Sequence, residues 1–259
     1  MGKVVVDQLG FEHDTGIKPL RIISLVPSQT ELLFDLGLEA DIVGVTKFCI
    51  HPEKAKTKAL IGGTKNFRFD VIDKLKPDLI IGNKEENYEE GIALLRTKYP
   101  VWLSDIVSVE DVLSMIQSIG EITFTQNKSK DIVYSIIKKF NTFLPFRSRR
   151  CLYLIWKKPW MAAGANTFIN SMLNKIGLVN STKTSRYPEL TDQEISELAP
   201  ELIFLSSEPY PFKEDHILEL QTLVPMAKII LVDGEMFSWY GSRLIKSPAY
   251  FNLLRNQLA

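Results

Sequence analysis

One nine-residue pattern occurs twice in this chain. Ile72-Asp73-Lys74-Leu75-Lys76-Pro77-Asp78-Leu79-Ile80 returns as Ile195-Ser196-Glu197-Leu198-Ala199-Pro200-Glu201-Leu202-Ile203, offset by 123 positions. Ile, Leu, Pro, an acid, Leu and Ile keep their order. Proline cannot continue a helix and drives the residue before it toward extended geometry. Each copy therefore reads as the end of a short helix followed by an apolar strand. Two copies in one chain predict two lobes of similar build, with a ligand cleft between them.

A length of 259 residues suits one large or two modest domains. Lys and Arg number 31, and so do Asp and Glu. That balance argues against a nucleic-acid binder, which needs a basic surplus to displace counterions, and against a polybasic membrane-surface protein. No apolar run approaches the roughly 18–20 residues of a bilayer span. Asp7, Glu12, His13 and Asp14 interrupt any apolar signal core in the first twenty residues. The chain is thus either cytoplasmic or recorded after removal of a leader. Cys49 and Cys151 fall in different lobes and are expected as free thiols.

Strands and helices alternate along the chain. Strands are expected at 21–26, 41–46, around Ile80-Ile81, at 101–103, 151–156 and 228–232. Helices are expected from a cap at Ser28 or Thr30 to Gly37, at 85–98, 108–120, 166–176, 214–223 and 248–258. A helix over about 128–144, with Val133, Ile136, Ile137, Phe140 and Leu144 on one stripe, is some 25 Å long at its usual rise. The expected fold is α/β: two similar parallel-sheet lobes (1–125 and 147–259) joined by a long rigid helix (126–146).

Ligands of open α/β sheets gather beyond the carboxyl ends of the strands. The residues that follow each strand are therefore the candidate site: Ser28; Phe48, Cys49 and His51; Asn83 and Lys84; Trp160; Arg186 and Tyr187; Tyr210; and Glu235, Phe237, Trp239 and Tyr240. So many rings in loops suit a large flat ligand. His13, His51 and His216 lack metal-ligand spacing, so no metal site is expected. Cys49 and His51 offer at most one axial ligand to a corrinoid or haem iron, and Tyr187 or Tyr240 keeps haem open. Catalysis is not expected. Ser28 lacks the Gly-x-Ser-x-Gly elbow, Gly62-Gly63-Thr64-Lys65 lacks phosphate-loop spacing, and a Ser28/His51 hydrolase would have no orienting acid.

With these residues in view, the chain resembles the ABC-transporter substrate-binding proteins with a helical backbone, the class handling cobalamin, haem and ferric siderophores. The likeness is carried by Asp7-Gln8-Leu9-Gly10, by Arg21-Ile22-Ile23-Ser24-Leu25-Val26-Pro27-Ser28-Gln29-Thr30-Glu31, by Ile61-Gly62-Gly63 and by Leu75-Lys76-Pro77-Asp78-Leu79-Ile80. The resemblance implies a periplasmic or extracytoplasmic receptor, monomeric and without a covalent cofactor. It would carry a corrinoid or ferric chelate to an ABC importer permease. It also implies that Phe48, Trp160, Tyr187 and Glu235 occupy pocket positions of cobalamin binders. Asn83 stands where those have tryptophan, and Trp239 where they have arginine. An anionic ferric siderophore would instead want an arginine cluster, for which the candidates are Lys84, Arg186 and Arg243. Permease-docking acids are implied at Glu89 or Glu90 and at Glu194. A cytoplasmic cobinamide or metal-chelate carrier of the same fold is the remaining alternative.

Overall fold

The computed structural model describes residues 4–258. These divide into two compact units. One holds residues 4–106, 110–138 and 240–245; the other holds 107–109, 139–239 and 246–258. The sequence-based boundaries differ from this division in two places. The division falls inside a helix, between Lys138 and Lys139, and residues 240–245 join the first unit. The second difference has a physical cause: Tyr240 donates to Glu86 Oε1 at 2.7 Å, and Arg243 Nε donates to Glu31 Oε2 at 2.7 Å.

The first unit opens with an antiparallel hairpin, β1 (Val4–Val6) and β2 (Glu12–Asp14), that periodicity did not reveal. There follow β3 (Ile22–Ser24), α1 (Pro27–Asp35), β4 (Ile42–Val45), β5 (Ala59–Leu60) and the small hairpin β6 (Gly62–Gly63) and β7 (Asn66–Phe67). Then come α2 (Phe69–Leu75), β8 (Leu79–Asn83), α3 (Glu89–Arg96), β9 (Val101–Ser104), α4 (Val109–Ile122) and α5 (Gln126–Asn141). The main sheet runs β5-β4-β3-β8-β9 and every pairing in it is parallel. Its central strands are apolar on both faces, as helix-covered parallel strands must be; Ile22, Ile23, Ile80 and Ile81 are all buried.

The second unit contains β10 (Arg150–Trp156), β11 (Trp160–Ala162), α6 (Phe168–Lys175), β12 (Val179–Asn180), β13 (Glu189–Leu190) and α7 (Asp192–Leu198). It continues through β14 (Leu202–Ser206), α8 (Glu214–Leu223), β15 (Lys228–Val232), α9 (Glu235–Ser238) and α10 (Ser247–Leu258). Its sheet runs β13-β11-β10-β14-β15, with β12 beside the start of β10. The β10, β14 and β15 pairings are parallel, whereas β11 and β13 add antiparallel strands. Leu152, Leu154, Ile195, Ile203, Leu205 and Leu220 form part of its core.

Both copies of the repeated phrase build the same device. Lys76 (φ 46°) and Ala199 (φ 40°) end α2 and α7 in the left-handed region, and proline follows each. The acid two residues on then pins the start of the neighbouring strand. Asp78 accepts the amides of Leu20 and Arg21 at 2.9 and 2.8 Å, and Glu201 accepts that of Arg150 at 2.9 Å. The arginine so placed reaches back to the helix end. Arg21 donates to the Leu75 carbonyl, and Arg150 donates to the Ala199 carbonyl at 2.6 Å. Cations suit helix carboxyl ends because the last carbonyls lack partners there.

Several element ends differ from the sequence reading. The N-cap of α1 is Val26, with Pro27 in the first turn, rather than Ser28 or Thr30. The Thr30 hydroxyl instead bonds to Ser24 Oγ and the Val26 carbonyl. α3 begins at Glu89, not Glu85, because Asn83 Oδ1 accepts the amides of Glu85 and Glu86 and holds residues 83–87 in a turn. α5 stops at Asn141 rather than Leu144.

Candidate functional site

The carboxyl ends of β3, β8 and β9 meet in a buried polar network. Gln29 on α1 donates to the Gly82 carbonyl and Ser104 Oγ at 3.0 and 2.8 Å. Asn83 Nδ2 donates to the same Ser104 Oγ at 2.9 Å, and Asn87 Oδ1 accepts the Asn83 amide at 2.9 Å. The turn so fixed presents Glu86 to the Tyr240 hydroxyl. Burial is the main reason the Tyr240 phenol is pushed well up from its ordinary pKa; the Glu86 charge and its hydrogen bond add to this, and Ser28 and Ser104 oppose it. Tyr240 is a donor locked to a carboxylate.

Beyond β4 the chain turns outward. Phe48 is 49% exposed. The Lys47 ammonium sits 5.0 Å from its ring centre, and a methyl on Gly63 would touch the ring edge at 3.4 Å. Gly62 (φ 105°) makes this corner possible, since a side chain there would collide with the Asn66 carbonyl. Cys49 turns inward instead. Its thiol is buried and bonded to Thr30 and Thr46, and burial pushes its pKa up. Lys84 is exposed and paired with Asp105 at 2.6 Å.

The second unit corrects three expectations. Phe237 is 0% exposed and packs against Tyr153, Phe204 and Phe251 as a core residue. Trp160 lies on β11, not in a loop; it stacks on Phe212 and donates to Asp192 Oδ1 at 2.8 Å. Trp239 is buried, with its indole N–H on Glu208 Oε1 at 2.9 Å, beside the Ser238 hydroxyl on the same oxygen at 2.8 Å. Rings that follow strand ends are not all surface rings: the antiparallel β11 and the short α9 fold them back into the unit. Glu208 itself has a raised pKa, first through burial and then through Glu235 and Asp233, against the Ser238 and Trp239 hydrogen bonds. Asn83 and Ser28 are likewise buried within the first unit; the Ser28 hydroxyl is closed to a substrate.

Arg186 (φ 65°) is exposed, donates to the Asn166 carbonyl at 3.1 Å and lies 5.8 Å from the Tyr187 ring, which is half-buried. Glu235 is half-buried at the start of α9. One ring outside the chosen set pairs with a ring inside it. Trp156, the last residue of β10, is 41% exposed and meets Tyr210 edge-on at 5.4 Å. The signal for Trp156 was its position at the end of a strand; Tyr210 was among the candidates. Among the described residues no three His, Cys, Asp or Glu side chains converge to hold a metal ion, and no helix is long and apolar enough to cross a membrane.

A duplicated, mainly parallel α/β build with exposed rings past its strand ends is the architecture of a ligand-binding protein. The model of the family described as periplasmic binding protein matches residues 22–224, and the chain belongs to that family. It is 28% identical over 206 residues to an uncharacterised ABC transporter substrate-binding lipoprotein, YvrC, of Bacillus subtilis, covering 74% of this chain and 65% of that protein. It is 22% identical over 199 residues to the vitamin B12-binding protein of Vibrio parahaemolyticus, covering 72% of this chain and 70% of that one. Among solved structures, the periplasmic heme-binding protein RhuT of Roseiflexus sp. RS-1 superposes with a TM-score of 0.79 at 19% identity, over 92% of this chain and 98% of that one. That likeness establishes the fold.

Proposed function

We propose that the protein is a substrate-binding receptor that captures a corrinoid, a cobalamin-like tetrapyrrole, and delivers it to an ABC importer outside the cytoplasm. Family membership and the kinship with a vitamin B12-binding protein support this. The observation that carries it is Phe48. This large ring stands half out of the surface past β4, backed by Gly63 and by a lysine rather than by core. A flat macrocycle with few formal charges is the ligand such a ring covers at low entropy cost. Lys84, Arg186, Tyr187 and Glu235 complete the proposed set, with Trp156 and Tyr210 added. Tyr240 and Asn83 support the turn that carries Glu86.

Delivery would use Glu89 and Glu90, exposed in the first turn of α3, as rim charges for a basic permease surface. Glu194 is a weaker docking acid. Its carboxylate already accepts the Thr191 amide and hydroxyl in a capping box, which lowers its pKa. A ferric-siderophore or haem receptor is the second reading, favoured by the exposed Arg186 guanidinium, which suits a carboxylate or hydroxamate oxygen. An enzyme reading is disfavoured by the buried Ser28.

Calorimetry of Phe48→Ala tests the proposal. Its affinity for cyanocobalamin should fall about tenfold, the effect of removing one contact ring, with the melting temperature unchanged. Equal affinities in the variant and the parent would remove Phe48 from the site.

A further inference from the structure

The first unit holds a cavity that none of the proposed ligand contacts uses. Its volume is about 640 Å³, within the roughly 300–1,000 Å³ of small-molecule sites. It lies where β8 and β9 begin, at Leu79, Pro100 and Val101, the end of the sheet opposite Asn83. Ile17, Pro19 and Ile122 extend a mainly apolar wall.

Val101 is the unusual member of that wall. In β9 alternate residues serve β8: the Pro100 and Ser104 carbonyls accept the Ile80 and Lys84 amides. The residues between them face the outer edge of the sheet. At Leu103 that edge is sealed. Asp7 Oδ2 accepts the Leu103 amide at 3.1 Å, and the Gln8 amide donates to the Leu103 carbonyl at 3.2 Å. The Asp7-Gln8-Leu9-Gly10 phrase is thus an edge cover. Val101, two residues earlier, has the same orientation and no cover. Among the described residues nothing bonds to its amide or its carbonyl, although the residue is buried. A buried main-chain donor and acceptor without partners is rare in folded proteins.

The charged side chains around the cavity are already matched. Asp78 accepts the Leu20 and Arg21 amides, and Asp14 accepts that of Gly16. Lys18 pairs with Asp41 at 2.8 Å, and Arg96 Nη2 with the buried Asp7 at 3.2 Å. His13 is buried 3.6 Å from the same Asp7 carboxylate. Glu12 is exposed, where a charge contact is worth little. A charged ligand would lose hydration here without gaining an unspent counter-ion. An uncharged acceptor is better placed. The Arg96 guanidinium sits over the Phe11 ring, 3.5 Å from its centre, and among the described residues only its Nη2 is hydrogen-bonded.

We propose that this cavity binds a neutral, mainly apolar amide, as one blocked peptide unit presents. The ligand N–H donates to the Val101 carbonyl. Its carbonyl oxygens accept from the Val101 amide and from Arg96, and its apolar side chain lies against Ile17 and Ile122. An amide fits because the strand edge offers one donor beside one acceptor, the pattern an amide complements. This site is separate from the corrinoid site and stands or falls without it.

The probe is N-acetylleucine methylamide, titrated into the intact isotope-labelled protein. The Val101 amide and Arg96 Nε–H resonances should shift together and saturate with a Kd of about 1 mM. The Leu103 amide, sealed by Asp7, should stay in place. N-acetylleucine, an anion, and leucine methylamide, a cation, should each bind at least about tenfold more weakly. Ile17→Glu should weaken the neutral probe about fivefold without changing the melting temperature, because Ile17 is 87% exposed. Any of four results would overturn the proposal: no saturable Val101 shift up to about 10 mM probe, an equal shift at Leu103, a charged analogue that binds as tightly as the neutral one, or an unchanged affinity in Ile17→Glu.

Discussion

Two carboxylates are displaced in opposite directions, and each gives a test at the scale of the residue. Burial works against ionised Asp7, but the neighbouring His13 side chain, 3.6 Å away, and hydrogen bonds from the Phe11, Leu103 and Leu9 amides outweigh it, so its pKa lies below the usual 3.8. A depressed acid contributes stability above its unfolded pKa and loses it as pH falls through the folded one. Asp7→Asn should therefore cost about 3 kcal/mol in denaturant unfolding at pH 7, as breaking a buried charged contact does, and the gap from the parent should close under acid. Glu208 has the opposite sign. Its pKa is raised above 4.5, so its contribution is fully present below that value and lost as pH rises through the folded pKa. Glu208→Gln keeps an acceptor for Ser238 and Trp239 while removing the charge facing Glu235 and Asp233. Its melting temperature should exceed the parent's at pH 8, with the gain vanishing below pH 4.5. A gain that persists in acid would deny the burial argument. Neither shift was legible beforehand, since Glu208's partners and the Leu103 amide on Asp7 lie far off in the chain. For the same reason Phe237 and Trp160 read as site rings: nothing local in Glu235–Trp239 or Lys158–Trp160 says that the backbone folds back into a core.

Elements were more legible than contacts. Helix-proline-strand signals depend on neighbours in sequence, and both repeated phrases became the elements they predicted, α2 with β8 and α7 with β14. The parallel runs followed from continuous apolar strands. The short elements β1, β2, β11 and α9 escaped because two to four residues carry too little periodicity, and α3 lost its expected first turn to the Asn83 side chain. The repeated device gives its own test. Ala199 holds a left-handed conformation that costs an L-residue about 1 kcal/mol and glycine little. Ala199→Gly should thus stabilise the protein by about 0.5–1 kcal/mol despite glycine's entropy, read as a shifted urea midpoint at constant slope. Destabilisation would mean that the alanine methyl is packed rather than strained.

For the whole molecule, family and fold are established, while the ligand is a matter of which side chains remain available past the strand ends. Phe237, Trp160 and Cys49, offered by the sequence, are buried; of the proposed set, Phe48 lies in the first unit and Tyr187, Arg186 and Glu235 in the second. Exposure also brought in Trp156, beside Tyr210. The proposed set carries charges of both signs, which is the ground for proposing a macrocycle with few formal charges over a strongly anionic chelate. The direct measurement is titration calorimetry of the intact protein with cyanocobalamin, cobinamide, haemin and a ferric hydroxamate under one buffer. The account predicts that a corrinoid binds with a Kd below about 100 μM and more tightly than haemin or the hydroxamate. Corrinoids that fail to bind at that level, or a tighter haemin or hydroxamate complex, would contradict it.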